Sequence, residues 1–168
     1  MNISPRLTPG PSIPFLPVAA AASTPQTAMS QKKILIVDDS PIILKTLSMK
    51  LKSHGYAVLT AEDGATAVST VRLERPDLVL LDISFPPDVA HGGGVPWDGF
   101  LVMSWLQRME EAKGIPVIII TGGDPALKDR ALKAGAVDFF HKPIQNEELL
   151  AKIRSLIGEG SPAPASPA

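Results

Sequence analysis

Four apolar runs in this sequence lead into residues that can do chemistry. Asp38-Asp39 follows Ile34-Leu35-Ile36-Val37, and Asp82 follows Leu78-Val79-Leu80-Leu81. Thr121 follows Val117-Ile118-Ile119-Ile120, and Lys142-Pro143 comes just after Val137-Asp138-Phe139-Phe140. Each has an ordinary explanation when taken alone. An Asp at a strand end is often a helix cap, a Thr or Pro marks a turn, and a Lys is usually solvated. Their joint order, each behind an apolar strand, points further. Three carboxylates held together repel one another and stay ionised only if a cation joins them. A hard divalent ion with oxygen ligands fits, and Mg2+ is the natural choice. The chain offers no thiolate and no histidine at metal-ligand spacing for a softer metal. Lys142 adds a fixed positive charge and Thr121 a hydroxyl. Such a set suits acceptance of a phosphoryl group: metal on one oxygen, ammonium on another, hydroxyl or backbone N–H on the third.

The elements that must position these residues alternate two periods. Short runs at 34–37, 56–61, 77–82, 116–121 and 137–140 read as strands, the first apolar and β-branched as suits a buried parallel strand and the third apolar throughout its centre. Between them lie helical patterns. Pro41 opens the first, with Ile43, Leu44, Leu47 and Leu51 on one face and Gly55 as its stop. The second runs from Ala65 to Leu73, ahead of Pro76. Asp98 caps the third, which carries Phe100, Leu101, Trp105, Leu106 and Met109. Asp124 as N-cap and Pro125 at the first helical position start the fourth, closed by Gly135. Asn146 caps the fifth, whose inner face is Leu149, Leu150, Ile153, Leu156 and Ile157. Five βα units imply an α/β fold: a flavodoxin-like (βα)5 parallel sheet, strand order 2-1-3-4-5, with helices on both faces. Function then belongs at the carboxyl ends of the strands, where all four chemical positions lie.

With 45% hydrophobic and 20% charged residues, the chain has the balance of a soluble globular protein. A net charge of -1 gives no electrostatic reason to expect nucleic acid or an anionic membrane as partner. The absence of cysteine excludes disulfides and thiol chemistry, and a cytoplasmic location is expected. No run reaches the length of a membrane span. Residues 13–22 are apolar, but Pro14 and Pro17 interrupt them and they match a signal peptide poorly. Residues 1–31 are rich in Pro, Ala, Ser and Thr and are expected to be a disordered tail, with Met29 as a second candidate start. Residues 159–168 read as a second tail, which leaves 32–158 as the folded domain.

The motifs ILIVDDSPIILKTLSMKL, LVLLDI, IPVIIITGG and AGAVDFFHKPI together resemble the receiver domain of two-component response regulators, over about 32–157. The resemblance implies that Asp82 is the phosphoacceptor. Asp39 would bind Mg2+ directly, Asp38 directly or through water, with Asp82 and the backbone carbonyl of Ser84 as further ligands. Thr121 would close on the phosphate and Lys142 pair with it. The Lys142–Pro143 bond would be cis. Phe139 stands at the switch-aromatic position, where a plain core Phe is the alternative. The donor would be a sensor histidine kinase or histidine phosphotransfer protein, and the output an unidentified protein target. The expected whole is a stand-alone receiver, not an enzyme, with no nucleic-acid or membrane partner. A degenerate receiver acting as a scaffold and a Mg2+-dependent phosphatase are the alternatives. The phosphatase would want an acid where Ser84 stands.

The sequence departs from the family after Asp82. Pro86 is in its usual place, but Asp98-Gly99 comes late, so about nine residues within 87–97 read as an insertion. His91 and Gly92-Gly93-Gly94 lie there. No Lys-Ser/Thr helix start follows the glycines, which argues against a P-loop. The insertion is expected to tune the choice of kinase.

Overall fold

A computed structural model describes residues 31–84 and 98–161 of the chain. The strands are β1 (Lys33–Val37), β2 (Ala57–Ala61), β3 (Leu78–Leu81), β4 (Val117–Thr121) and β5 (Asp138–His141). The helices are α1 (Pro41–Ser53), α2 (Gly64–Glu74), α3 (Gly99–Arg108), α4 (Leu127–Lys133) and α5 (Asn146–Ile157). All strand pairs are parallel, in the order β2-β1-β3-β4-β5. This is the order expected from five βα units.

The three inner strands β1, β3 and β4 are buried on both faces because alternate residues point to opposite sides of the sheet, while the edge strands β2 and β5 are partly exposed. Leu35, Val37, Val79, Leu81 and Ile119 pack beneath α2, α3 and α4, against Val71, Val102, Met103, Leu106 and Ala131. Ile34, Ile36, Leu80, Ile118 and Ile120 pack beneath α1 and α5, against Leu44, Leu47, Leu51, Leu149, Leu150 and Ile153. Leu156, Ile157 and Ile43 flank this second cluster, half-buried. Each buried aliphatic side chain contributes about 1.5–3 kcal/mol, so the two layers fix the register of the sheet and the position of its rim.

Two local expectations are corrected. Asp124 does not cap α4: the helix begins later, with Ala126 as its N-cap. The Asp124 carboxylate instead accepts the Ala126 N–H (2.8 Å), forming a turn that Pro125 continues before the helix is established. Asn146 is the first residue of α5 rather than its cap, and Gln145 precedes it with no side-chain cap bond. Acids in the first turn, Glu147 and Glu148, serve the helix dipole there. In α3, Asp98 does cap, accepting the Leu101 N–H at 2.7 Å. That start sets a phase in which Val102 and Met103 face inward with Leu106, while Trp105 remains 44% exposed.

The described chain enters and leaves at one corner. The Gln31 side-chain amide donates to the carbonyls of Gly55 (3.0 Å) and Ser161 (3.2 Å), and the Tyr56 hydroxyl donates to Gly158 O (2.8 Å). Gly55, at φ +84°, closes the α1–β2 turn, and a β-carbon there would lie 2.6 Å from the Ser161 carbonyl oxygen. Only glycine suits both demands. No described helix is long and apolar enough to cross a membrane. Residues 87–97, with His91 and the glycine run, lie outside the described residues, as do residues 1–30 and 162–168.

Candidate functional site

Backbone ladders carry the acids past the ends of their strands. Val37 and Leu81 are register partners, and the bonding continues one residue further, from Asp82 N–H to Val37 O at 2.9 Å. On the other side of β1, Asp38 N–H donates to Ala61 O at 3.1 Å. Asp38 and Asp82 therefore emerge side by side at the carboxyl rim, at the switch point between β1 and β3. β4 and β5 act likewise: Lys142 N–H donates to Thr121 O at 2.8 Å. The Lys142 stem then crosses Gly122, where a methyl group would touch its Cδ at 3.9 Å. The Lys142–Pro143 peptide is cis, as the resemblance implied.

The ammonium of Lys142 bridges the two buried acids. Nζ lies 2.5 Å from Asp38 Oδ2 and 2.7 Å from Asp82 Oδ2. The other oxygens are held by backbone: Ser40 N–H donates to Asp38 Oδ1 (2.9 Å) and Ser84 N–H to Asp82 Oδ1 (2.7 Å). Only 3% of the Asp38 side chain and 6% of the Asp82 side chain is exposed, while Asp39 is exposed. Burial by itself would lower the Lys142 pKa. The hydrogen bonds and charges of Asp38 and Asp82 outweigh it and hold the ammonium above the ordinary lysine value.

Three carboxylates and one ammonium leave two net negative charges at the rim. Oxygen atoms of Asp38, Asp39 and Asp82 lie within 4.8 Å of one another. Ligand oxygens around an ion at about 2.1 Å sit roughly 3–4 Å apart, so a small closure of these side chains makes a Mg2+ site. Charge and donor chemistry both fit a hard divalent cation.

Thr121 is fully buried; its Oγ1 accepts the Gly123 N–H (3.1 Å) and shares a hydrogen bond with the Ser84 hydroxyl. Phe139 is 9% exposed and packs in the cluster beneath α3 and α4 with Ala131 and Met103. The structure thus brings together Asp38, Asp39, Asp82, Ser84, Thr121 and Lys142, while Phe139 lies within β5 and Pro143 two residues beyond its end. Sequence reasoning assigned Ser84 only a backbone role. The pairing of its hydroxyl with Thr121 was missed, and the available signal was the glycine two residues past Thr121, which leaves room for it.

Ile83 and Gly99 close the rim. A β-carbon on Gly99 would collide with the Ile83 Cα. The Ile83 and Gly99 backbones are therefore in contact, so the late Asp98-Gly99 still starts α3 beside the end of β3.

Residues 34–154 match the family model described as the response regulator receiver domain. The chain belongs to the response regulator receiver domain family. Phosphorylation and Mg2+ binding are typical of this family, whose members interact with histidine kinases or phosphotransfer partners. The receiver is 39% identical over 126 residues to Protein PilH of Pseudomonas aeruginosa, covering 74% of this chain and 97% of that protein. It is 38% identical over 130 residues to the probable transcriptional regulator ycf27 of Cyanophora paradoxa, covering 77% of this chain and 49% of that one. The chain spans about half the length of several curated relatives it matches. Among solved structures, the receiver domain of sensor histidine kinase PA1611 from Pseudomonas aeruginosa PAO1 is similar, at a TM-score of 0.66 and 28% identity. That match covers 77% of this chain and 99% of that one, which carries a magnesium ion in its active-site cleft.

Proposed function

We propose that this receiver is a single-domain phosphorylation switch that accepts a phosphoryl group on Asp82 from a phosphohistidine donor. The observation that carries the reading is the Lys142 ammonium held between Asp38 and Asp82 with Asp39 alongside. The likeness to Protein PilH over nearly all of that protein's length supports a receiver that works by itself. In this reading residues 32–158 form the receiver between two tails, 1–31 and 159–168.

A carboxylate oxygen of Asp82 attacks phosphorus in line with the scissile P–N bond. The P–O bond forms as the imidazole nitrogen leaves with the electron pair and takes up a proton. A bound Mg2+ would supply charge neutralisation at a phosphoryl oxygen. Asp39, Asp82 and the Ser84 backbone carbonyl would hold it directly, and Asp38 directly or through water. Lys142 is already 2.7 Å from Asp82 Oδ2, so it pairs with a second phosphoryl oxygen by a small shift while keeping Asp38. The Thr121 hydroxyl turns to the third. These groups contribute position and charge, which is what phosphoryl transfer asks of a protein. The resulting acyl phosphate is hydrolytically labile, so the signal limits itself. Contacts of Thr121 and Lys142 with the new group bias the surface around α4 and β5, with Phe139 as the switch aromatic. The partners in this reading are a cytoplasmic histidine kinase or phosphotransfer protein and a protein target.

Incubation with a small phosphodonor such as acetyl phosphate and Mg2+ tests the proposal. Stoichiometric base-labile label, absent in Asp82→Asn and abolished by EDTA, is expected. Release of free phosphate without a labelled intermediate would favour a phosphatase, and absence of label would favour a scaffold; either outcome overturns the proposal.

A further inference from the structure

The Ser84 hydroxyl has no part in the chemistry above, yet it holds the group that must move. A hydroxyl has one proton to give, and here a proton of either Thr121 or Ser84 lies between the two oxygens. The other face of Thr121 Oγ1 is occupied by the Gly123 N–H. Gly123 also explains how Ser84 fits. A β-carbon at 123 would lie 2.6 Å from Ser84 Oγ and 3.4 Å from Thr121 Oγ1, while its next neighbour, Leu127 Cδ1, is at an ordinary 3.7 Å. Gly123 is not among the glycines with positive φ, so its backbone would accept alanine. What the position provides is a slot for the Ser84 side chain.

We propose that Ser84 is a latch on Thr121: a positioning residue whose hydroxyl holds the Thr121 hydroxyl in its unphosphorylated placement, with Gly123 leaving the space the latch needs. The inference rests on the reading of Thr121 as the hydroxyl that turns to a phosphoryl group on Asp82. To make that turn, Thr121 gives up Ser84. A bond present in one state only shifts the equilibrium toward that state. One neutral hydrogen bond corresponds to about a two- to tenfold change. Alanine at 123 acts on the same bond. It drives Ser84 Oγ out of the slot, and the exposed position of Ser84 lets the side chain rotate into solvent.

Beryllofluoride, a phosphoryl mimic, is titrated calorimetrically in saturating Mg2+ into the full chain, S84A, G123A and S84A/G123A, and Mg2+ alone is titrated into each. S84A and G123A are each expected to bind beryllofluoride about two- to tenfold more tightly than the parent. The double variant should bind no more tightly than S84A, because both changes break one bond. Mg2+ affinity should stay at the parent value in G123A, which lies outside the set of residues that would hold the ion. Unchanged or weaker beryllofluoride binding in S84A, gains that add in the double variant, or a parallel change in the Mg2+ affinity of G123A would each overturn the latch while leaving the receiver reading intact. A parent that binds no beryllofluoride overturns that reading and the latch with it.

Discussion

Asp39→Asn should make the metal-free receiver more stable and the Mg2+-loaded one less so. Asp39 is exposed, with a carboxylate oxygen within 4.8 Å of oxygens on Asp38 and Asp82. At that separation two like charges repel by about 0.9 kcal/mol in water, and by several times that at the lower effective dielectric of a partly buried site. Lys142, paired to both other acids, offsets roughly one of the two repulsions. With the screening appropriate to an exposed side chain, the variant gains about 1 kcal/mol in EDTA. Mg2+ reverses the order. At 100 times its dissociation constant it stabilises the parent by about 2.7 kcal/mol, and a variant without a direct ligand gains little. Urea unfolding in EDTA and in saturating Mg2+, at fixed ionic strength and pH 7.5, reads both effects. The midpoint of the variant should lie above the parent in EDTA and below it in Mg2+. A variant no more stable than the parent in EDTA would refute the charge argument. Equal stabilisation of both proteins by Mg2+ would remove Asp39 from the ligand set.

The raised pKa of Lys142 gives a pH dependence with a definite sign. Its stabilisation is complete below the unfolded lysine value and is lost as pH rises through the folded value. Urea midpoints should therefore fall more steeply in the parent than in Lys142→Met above about pH 10.4, with no difference in slope between pH 7 and 9. Gly99→Ala should cost about 1–3 kcal/mol by forcing the start of α3 away from the Ile83 backbone, and a urea midpoint at the parent value would contradict the contact. Asp98→Ala should cost about 1 kcal/mol by removing a real N-cap, whereas Asn146→Ala, at a position with no cap bond, should change the thermal midpoint little.

Strand order and rim chemistry were legible because both follow from patterns that local sequence carries. Ile34 to Val37 and Leu78 to Leu81 are apolar without interruption, and their sequel is an acid in each case. Parallel pairing then leaves Asp38 and Asp82 adjacent whatever the details of the helices. Helix starts were less legible. Asp98, Asp124 and Asn146 are all good caps by type, but only Asp98 caps the helix it precedes. At 124 the carboxylate accepts the Ala126 N–H in a turn ahead of the helix, and at 146 the backbone has already entered the helix. In α3 the start was legible at Asp98, but Val102 and Met103, which face the core with Leu106, were not singled out. The Ser84–Thr121 bond joins residues from two strand ends, and its one trace in the sequence is Gly123, which leaves room for it.

The corner where Gln31 meets Ser161 has a mechanical consequence. It lies at the amino ends of the strands, about 16 Å, or one five-residue strand, from the rim that bears Asp82. Tension applied at both points would peel Gln31 and the Gly158–Ser161 segment from Gly55 one bond at a time instead of shearing the sheet. The acidic pocket of Asp38, Asp39 and Asp82 would stay assembled while that corner opened. Cargo attached at either point would likewise hang from the side of the molecule opposite the acidic rim.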